Sequence, residues 1–177
     1  MISKIERGES SPTAVVLGKL SAALELSISE LLADVPAGGP VGAGAGSGAG
    51  VPGDGEERHG EAERGGVVRR AADTPEWCDP DTGYRRRQVS GPRFPAAVTE
   101  VVLPPGARVP YPAGAYAFIA QLVWVLSGEL TLADGPAVYV LAPGDTFELG
   151  EPRPREFRNA TGTECRYVVV VTRTGAP

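Results

Sequence analysis

At 177 residues and a formal charge of −5, with 17 Lys and Arg against 22 Asp and Glu, the chain has room for one ordinary domain and an appendage. That balance does not suit a general nucleic-acid coat, which carries a basic surface. No apolar run approaches the roughly 20 residues of a transmembrane helix and no secretory signal precedes the two cysteines, so a cytoplasmic chain with reduced thiols at Cys78 and Cys165 is expected, a single bridge between them being the alternative.

Three zones follow one another: residues 1–35, helical in pattern; 36–66, a linker; and 67–177, a β domain. The first holds three basic and five acidic residues, the second two and five, the third twelve of each. Any DNA binding therefore depends on a few placed residues and on dimerisation. Ile2 and Ile5 lie three apart and Gly8 is placed to end a helix in the left-handed conformation. The spacing predicts a second helix starting at Ser11-Pro12-Thr13, with Val16 or Leu17, Leu20 and Leu24 as its core-facing stripe. Ser27 and Glu30 fit a capping box opening a short last helix through Leu31 and Leu32. So few apolar contacts make a poor independent core, and this zone is expected to borrow stability from a partner.

Residues 36–66 contain twelve of the 24 glycines and are expected to form a flexible linker. From residue 67, short β-runs alternate with Pro/Gly turns. Strands are expected over 84–89, 97–103, 118–126, 129–133, 137–141, 146–149, 156–159 and 165–172, a spacing that suits an antiparallel double-sheet roll. Arg85-Arg86-Arg87 reads as an edge strand with solvated guanidinium groups, and the stretch from Trp77 to Tyr84 as a turn-rich loop leading into it.

The first zone, from Ile2-Ser3-Lys4-Ile5-Glu6-Arg7-Gly8 through Ser11-Pro12-Thr13 to the spaced leucines, resembles the Cro/C1-type (XRE) helix-turn-helix family of transcriptional regulators. The resemblance covers only the tail of the recognition helix and the two helices after it. It implies that the base-reading residues and the first two helices would lie upstream of Met1, leaving an N-terminally truncated domain. By resemblance Ser3 and Lys4 are nearest to DNA, and Arg7 either contacts it or serves the fold. Lys4 and Arg7 read equally well as a solvated helix face. Thr13 is a plain helix cap or a phosphate contact.

The third zone resembles a cupin, an antiparallel RmlC-like jelly-roll barrel. The resemblance rests on Leu103 to Pro110, on Gln121 to Leu130 with its Ser127-Gly128 hairpin, on Leu141-Ala142-Pro143-Gly144-Asp145 and on Arg155 to Asn159. The family's metal centres use histidines and a carboxylate. Here the corresponding positions read Tyr111-Pro112-Ala113-Gly114, Gln121 and Arg155, so the resemblance implies neither a metal nor another cofactor. The only histidine, His59, is in the linker. No catalytic residues can be assembled: Asp145 reads as a turn residue and Cys165 as a packed thiol.

What is left for the barrel is a ligand pocket. Gln121 and Arg155 would orient a small ligand, with Tyr111, Tyr116, Phe118, Trp124 and Phe147 as walls or as plain core. An anionic ligand is suggested by Arg155. The order of helix-turn-helix, linker and cupin resembles one-component bacterial regulators, implying a homodimer with operator DNA and a small effector as partners and no membrane. The alternatives are a cupin-fold enzyme (isomerase or dioxygenase) and a dimerisation module that does not bind DNA. Coupling across so flexible a linker requires the barrel to dimerise or dock.

Overall fold

A computed structural model describes residues 12–24, 28–33 and 66–174. The residues Ile2 to Gly8, expected to be the tail of a helix, and the capping residue Ser27 lie outside these, as does nearly all of the linker. Within the described residues, helix α1 spans Ala14–Leu24 and helix α2 Ile28–Ala33. Ten strands follow: β1 (Glu76–Cys78), β2 (Arg85–Gln88), β3 (Ala97–Leu103), β4 (Arg108–Tyr111), β5 (Ile119–Ser127), β6 (Leu130–Asp134), β7 (Ala137–Leu141), β8 (Thr146–Glu148), β9 (Arg155–Arg158) and β10 (Cys165–Arg173).

The strands form two antiparallel sheets, a six-stranded one in the order β1-β2-β3-β10-β5-β8 and a four-stranded one in the order β4-β9-β6-β7. This is the two-sheet roll that the cupin resemblance implies. Side chains alternate across each strand, and the burial of β9, β6 and β10 follows that period of two. The inward set includes Val101, Leu103, Val123, Val125, Leu130, Leu132, Phe157 and Tyr167. Phe157 from one sheet stacks on Tyr167 from the other at 5.9 Å and meets the edge of Tyr111 at 6.0 Å. These aromatics span the gap between the sheets and close that part of the core.

Two strands are absent from the expected set. β1 has three residues inside the segment read as a loop, too short for a periodic signal. β4 contains Pro110, yet it lies at the edge of its sheet, where a missing N–H donor is tolerated. The expected Ser127-Gly128 hairpin is instead a turn that carries the chain from β5 in the large sheet to β6 in the small one. The φ of 74° at Gly128 and its position against Cys165 both call for glycine, since an added Cβ would come 2.8 Å from Cys165 Cα.

Helix α1 starts where Ser11-Pro12-Thr13 predicts, but its buried face differs from the leucine stripe. Ala14, Leu17, Gly18 and Ser21 are buried, Leu20 is half-buried and Leu24 is exposed. The reason is the surface it meets. α1 lies against β4 and the 3-10 turn Ala113–Tyr116, a close approach that selects small residues. A Cβ on Gly18 would come 2.7 Å from Tyr111 Cδ1, and one on Gly114 would come 2.8 Å from Ala22 Cβ.

Candidate functional site

The register of β2 decides the chemistry of the barrel interior. Arg86 pairs with Val101 on β3 and Trp77 on β1, in phase with inward-facing Tyr84. Arg85 and Arg87 therefore face outward, to Glu164 at 2.8 Å and to Glu100 respectively, while Arg86 enters the barrel. The expectation of three solvated guanidinium groups is corrected at Arg86, which is buried. Its Nη1 donates to the Tyr84 hydroxyl at 3.3 Å, and the Tyr111 hydroxyl donates to the same oxygen at 3.5 Å. Burial opposes the Arg86 charge, but the surrounding Tyr84, Tyr111 and Tyr167 hydroxyls outweigh it and hold the pKa above its ordinary value. Burial likewise pushes the phenols of Tyr111, Tyr116 and Tyr167 upward, so all three stay neutral and able to donate.

These groups surround a chamber of about 30 Å³. Its wall includes Tyr84, Arg86, Tyr111, Tyr116, Gln121 and Tyr167, with Ile28 from α2 contributing to the lining. The Tyr116 hydroxyl is buried without a hydrogen-bond partner. A guanidinium, several phenols and an amide make a lining rich in donors, suited to a small ligand that carries acceptor oxygens.

The expected wall residues divide. Tyr111, Tyr116 and Gln121 line the chamber. Phe118 and Trp124 are exposed, 40% and 46%, because their positions on and before β5 point outward. Phe147 is half-buried and packs on Tyr139 at 4.8 Å. Arg155, expected to offer a free planar fork, is engaged elsewhere. Its Nε donates to Asp134 Oδ1 at 2.7 Å, its Nη2 donates to the carbonyls of Gly150 and Glu151, and its guanidinium carbon lies 4.6 Å from the Tyr116 ring centroid. The sequence reading missed Arg86, Tyr84 and Tyr167. The available signal was the phase of Tyr84 and Arg86 on one strand, hidden by the two flanking arginines.

The metal centre typical of the fold does not fit this lining. Tyr111 and Gln121, which line the chamber, and Arg155, which is bound to Asp134 outside it, supply neither imidazole nor carboxylate, and the chamber already carries the Arg86 cation. Among the described residues no group of three or more His, Cys, Asp or Glu is arranged to hold an ion. Asp145 Oδ2 accepts from the Ala142 N–H at 2.8 Å, tying its own turn. Cys165 is fully buried among apolar neighbours, and burial pushes its thiol up to about 11. Both cysteines are free, Cys78 being exposed.

Of the residues expected at DNA, Ser3, Lys4 and Arg7 lie outside the described residues. Thr13 is half-buried, and its Oγ1 accepts from the Val16 N–H at 3.4 Å as a cap does. The N-terminus of α1 is tied a second time. The Ala14 N–H donates to Oδ1 of buried Asp79 at 3.2 Å, so a barrel carboxylate faces the positive end of a helix that has no acid in its own first turn.

An antiparallel cupin-type roll, enclosing a donor-lined chamber with two helices seated against it, is thus the class the fold and site define. Residues 1–31 match the model of the family HTH_3: Helix-turn-helix. The fold is similar to that of an HTH_3-family transcriptional regulator from Vibrio cholerae, with a TM-score of 0.64 at 18% identity over 97% of this chain and 78% of that one. It is also similar to a predicted oxalate decarboxylase from Thermotoga maritima, with a TM-score of 0.50 at 15% identity over 60% of this chain and 99% of that one. The Cupin_2 domain of an XRE-family transcriptional regulator from Enterobacter cloacae matches at 0.46 and 18% identity, over 50% of this chain and 95% of that one. No curated protein matches the sequence significantly. Among the described residues no helix is long and apolar enough to cross a membrane.

Proposed function

We propose that this chain is a DNA-binding transcriptional regulator whose metal-free cupin domain senses a small ligand bearing acceptor oxygens, a carboxylate above all. The observation that carries the reading is the donor set of buried Arg86, Tyr111 and Tyr116 and half-buried Gln121 around one chamber, beside a segment that matches the helix-turn-helix family. In this reading residues 1–35 are the DNA-binding segment, 36–66 the linker and 67–177 the sensor. Ser3, Lys4, Arg7 and Thr13 face operator DNA, and the barrel pairs into a cytoplasmic homodimer. The lining supports binding rather than catalysis, since neutral phenols and a guanidinium supply no general base near neutral pH.

A thermal-shift screen of carboxylates, phosphates, sugars and apolar amides tests the sensor. A small carboxylate raises Tm in the native chain and fails to do so in Arg86→Met. A screen without a hit favours a barrel that only dimerises. Stoichiometric iron, nickel or manganese in the purified protein favours the enzyme reading instead. Selection of bound duplexes from a random pool tests the DNA arm.

A further inference from the structure

The chamber is too small for the ligand class it suits. About 30 Å³ accommodates one or two waters, whereas small-molecule sites run to several hundred cubic ångströms. Much of its wall cannot retreat. Val169, Val171, Tyr167 and Phe157 sit on paired strands in the middle of the sheets, held by ladders on both sides. One wall is of a different kind. Ile28 comes from α2, and α1 beside it lies across β4 and the 3-10 turn that carries Ala115 and Tyr116 to the chamber. That contact brings small groups together, with Gly18 on Tyr111 and Ala22 on Gly114. One polar anchor of α1 is the hydrogen bond from the Ala14 N–H to Asp79. Strand ladders break only with the barrel, but a small-residue helix contact can part alone.

We infer that α1 and α2 are the lid of the chamber, so that seating of these helices and occupancy by a ligand exclude one another. This rests on the chamber's being the ligand site and adds the means of regulation. Residues 12–24 and 28–31 belong to the segment that matches the helix-turn-helix family. The DNA-binding segment therefore senses the barrel by touching it, without any signal crossing residues 36–66. A ligand that fills the opened chamber favours the unseated helices by its differential affinity for that state, and seated helices weaken the ligand by the same factor.

The test needs no ligand, so its failure is distinguishable from failure of the sensing reading. Val171→Cys places a thiol on the chamber wall, in a chain whose exposed Cys78 is changed to Ser. The probe is 5,5′-dithiobis(2-nitrobenzoate), an aromatic carboxylate. Adding Ala22→Leu wedges the helix away from Gly114 and raises the rate at which the introduced thiol is labelled at least tenfold, while buried Cys165 stays protected and reports an intact barrel. Gly162→Leu, at a position with nothing within 4 Å, leaves the rate unchanged. In the opposite sense, Ala22→Cys with Gly114→Cys places two Cβ atoms 2.8 Å apart, within about 1 Å of disulfide spacing. Once oxidised, this pair slows labelling at least tenfold relative to the chain that carries Val171→Cys with Cys78→Ser alone, the pair's own thiols being consumed by the crosslink. Fast labelling in the unwedged chain, or a rate that neither wedge nor crosslink moves, overturns the lid.

Discussion

Arg155 and Asp134 stand directly opposite each other on β9 and β6, joined by a 2.7 Å hydrogen bond from Nε to Oδ1, with the arginine side chain wholly removed from solvent. The pair fixes the register of two strands and places a cation against the Tyr116 ring. Removing one partner strands the other. Asp134→Ala should cost about 3–5 kcal/mol by urea denaturation, because the guanidinium stays buried without its counter-charge. The joint change Asp134→Leu with Arg155→Met should cost much less than the single one. A single substitution worth under about 1 kcal/mol would show the pair to be dispensable.

On the outer face of the large sheet, Glu100 accepts from both Arg87 and Arg166. Burial raises its pKa, but the two guanidinium groups outweigh burial and hold the carboxyl below its ordinary 4.5. A folded-state pKa below the unfolded one adds stability that is present above the unfolded value and lost as pH falls through the folded one. Glu100→Gln should therefore cost about 1–2 kcal/mol at neutral pH, the lower end of charge-assisted bonds because Arg166 is half-exposed. The gap between the native chain and the variant should narrow as pH falls through the folded-state pKa, below the ordinary value. A gap in paired denaturation curves that is independent of pH across the whole acid range would count against the carboxylate.

The architecture was largely legible from period-two alternation and turn chemistry. Eight of the ten strands fall where strands were expected, and the turns after β5, β6 and β7 carry Gly128, Gly135 and Gly144, three of the glycines with positive φ. The site was legible only in part, and the reason is register. Whether Arg86 or its two neighbours enter the barrel depends on which residue of β3 lies opposite, and no local pattern states that. Arg155 illustrates the same limit from the other side. Its inward position could be read from the motif, but its partner Asp134 lies 21 residues away on another strand. The seating of α1 was hidden for a third reason. A close helix contact is signalled by Gly18 and Ala14, residues that a hydrophobic stripe drawn through leucines passes over.

The two cysteines should differ sharply in reactivity. Cys78 is exposed on the edge strand β1, while Cys165 is fully buried with its thiol pushed up to about 11 by burial and by nearby Glu129. At pH 8 under native conditions an alkylating reagent should label one thiol per chain, at Cys78, and label Cys165 only after denaturation. Peptide mapping distinguishes the two. Rapid native labelling at Cys165 would mean that the β3–β10–β5 region opens far more readily than its ladders suggest.

Asp79 links the barrel to the helical segment through a charge at a helix end, and its contribution can be separated from that of its hydrogen bonds. Oδ1 accepts from the Ala14 and Asp81 N–H groups and Oδ2 from the Thr82 hydroxyl at 2.5 Å, so one carboxylate both ties its own turn and caps α1. Asp79→Asn retains an acceptor oxygen for the helix but discards the charge. A charge at an N-terminus is worth about 0.3–1 kcal/mol, so amide exchange within α1 should quicken roughly two- to fivefold while β3, β5 and β10 keep their protection. Salt should change the difference between native chain and variant little, since buried Asp79 is screened far less than a surface charge. Asp79→Ala removes the acceptors as well and should loosen α1 further. If exchange rose equally in the sheets, Asp79 would be a barrel residue first, and its contact with Ala14 incidental to the seating of the helix.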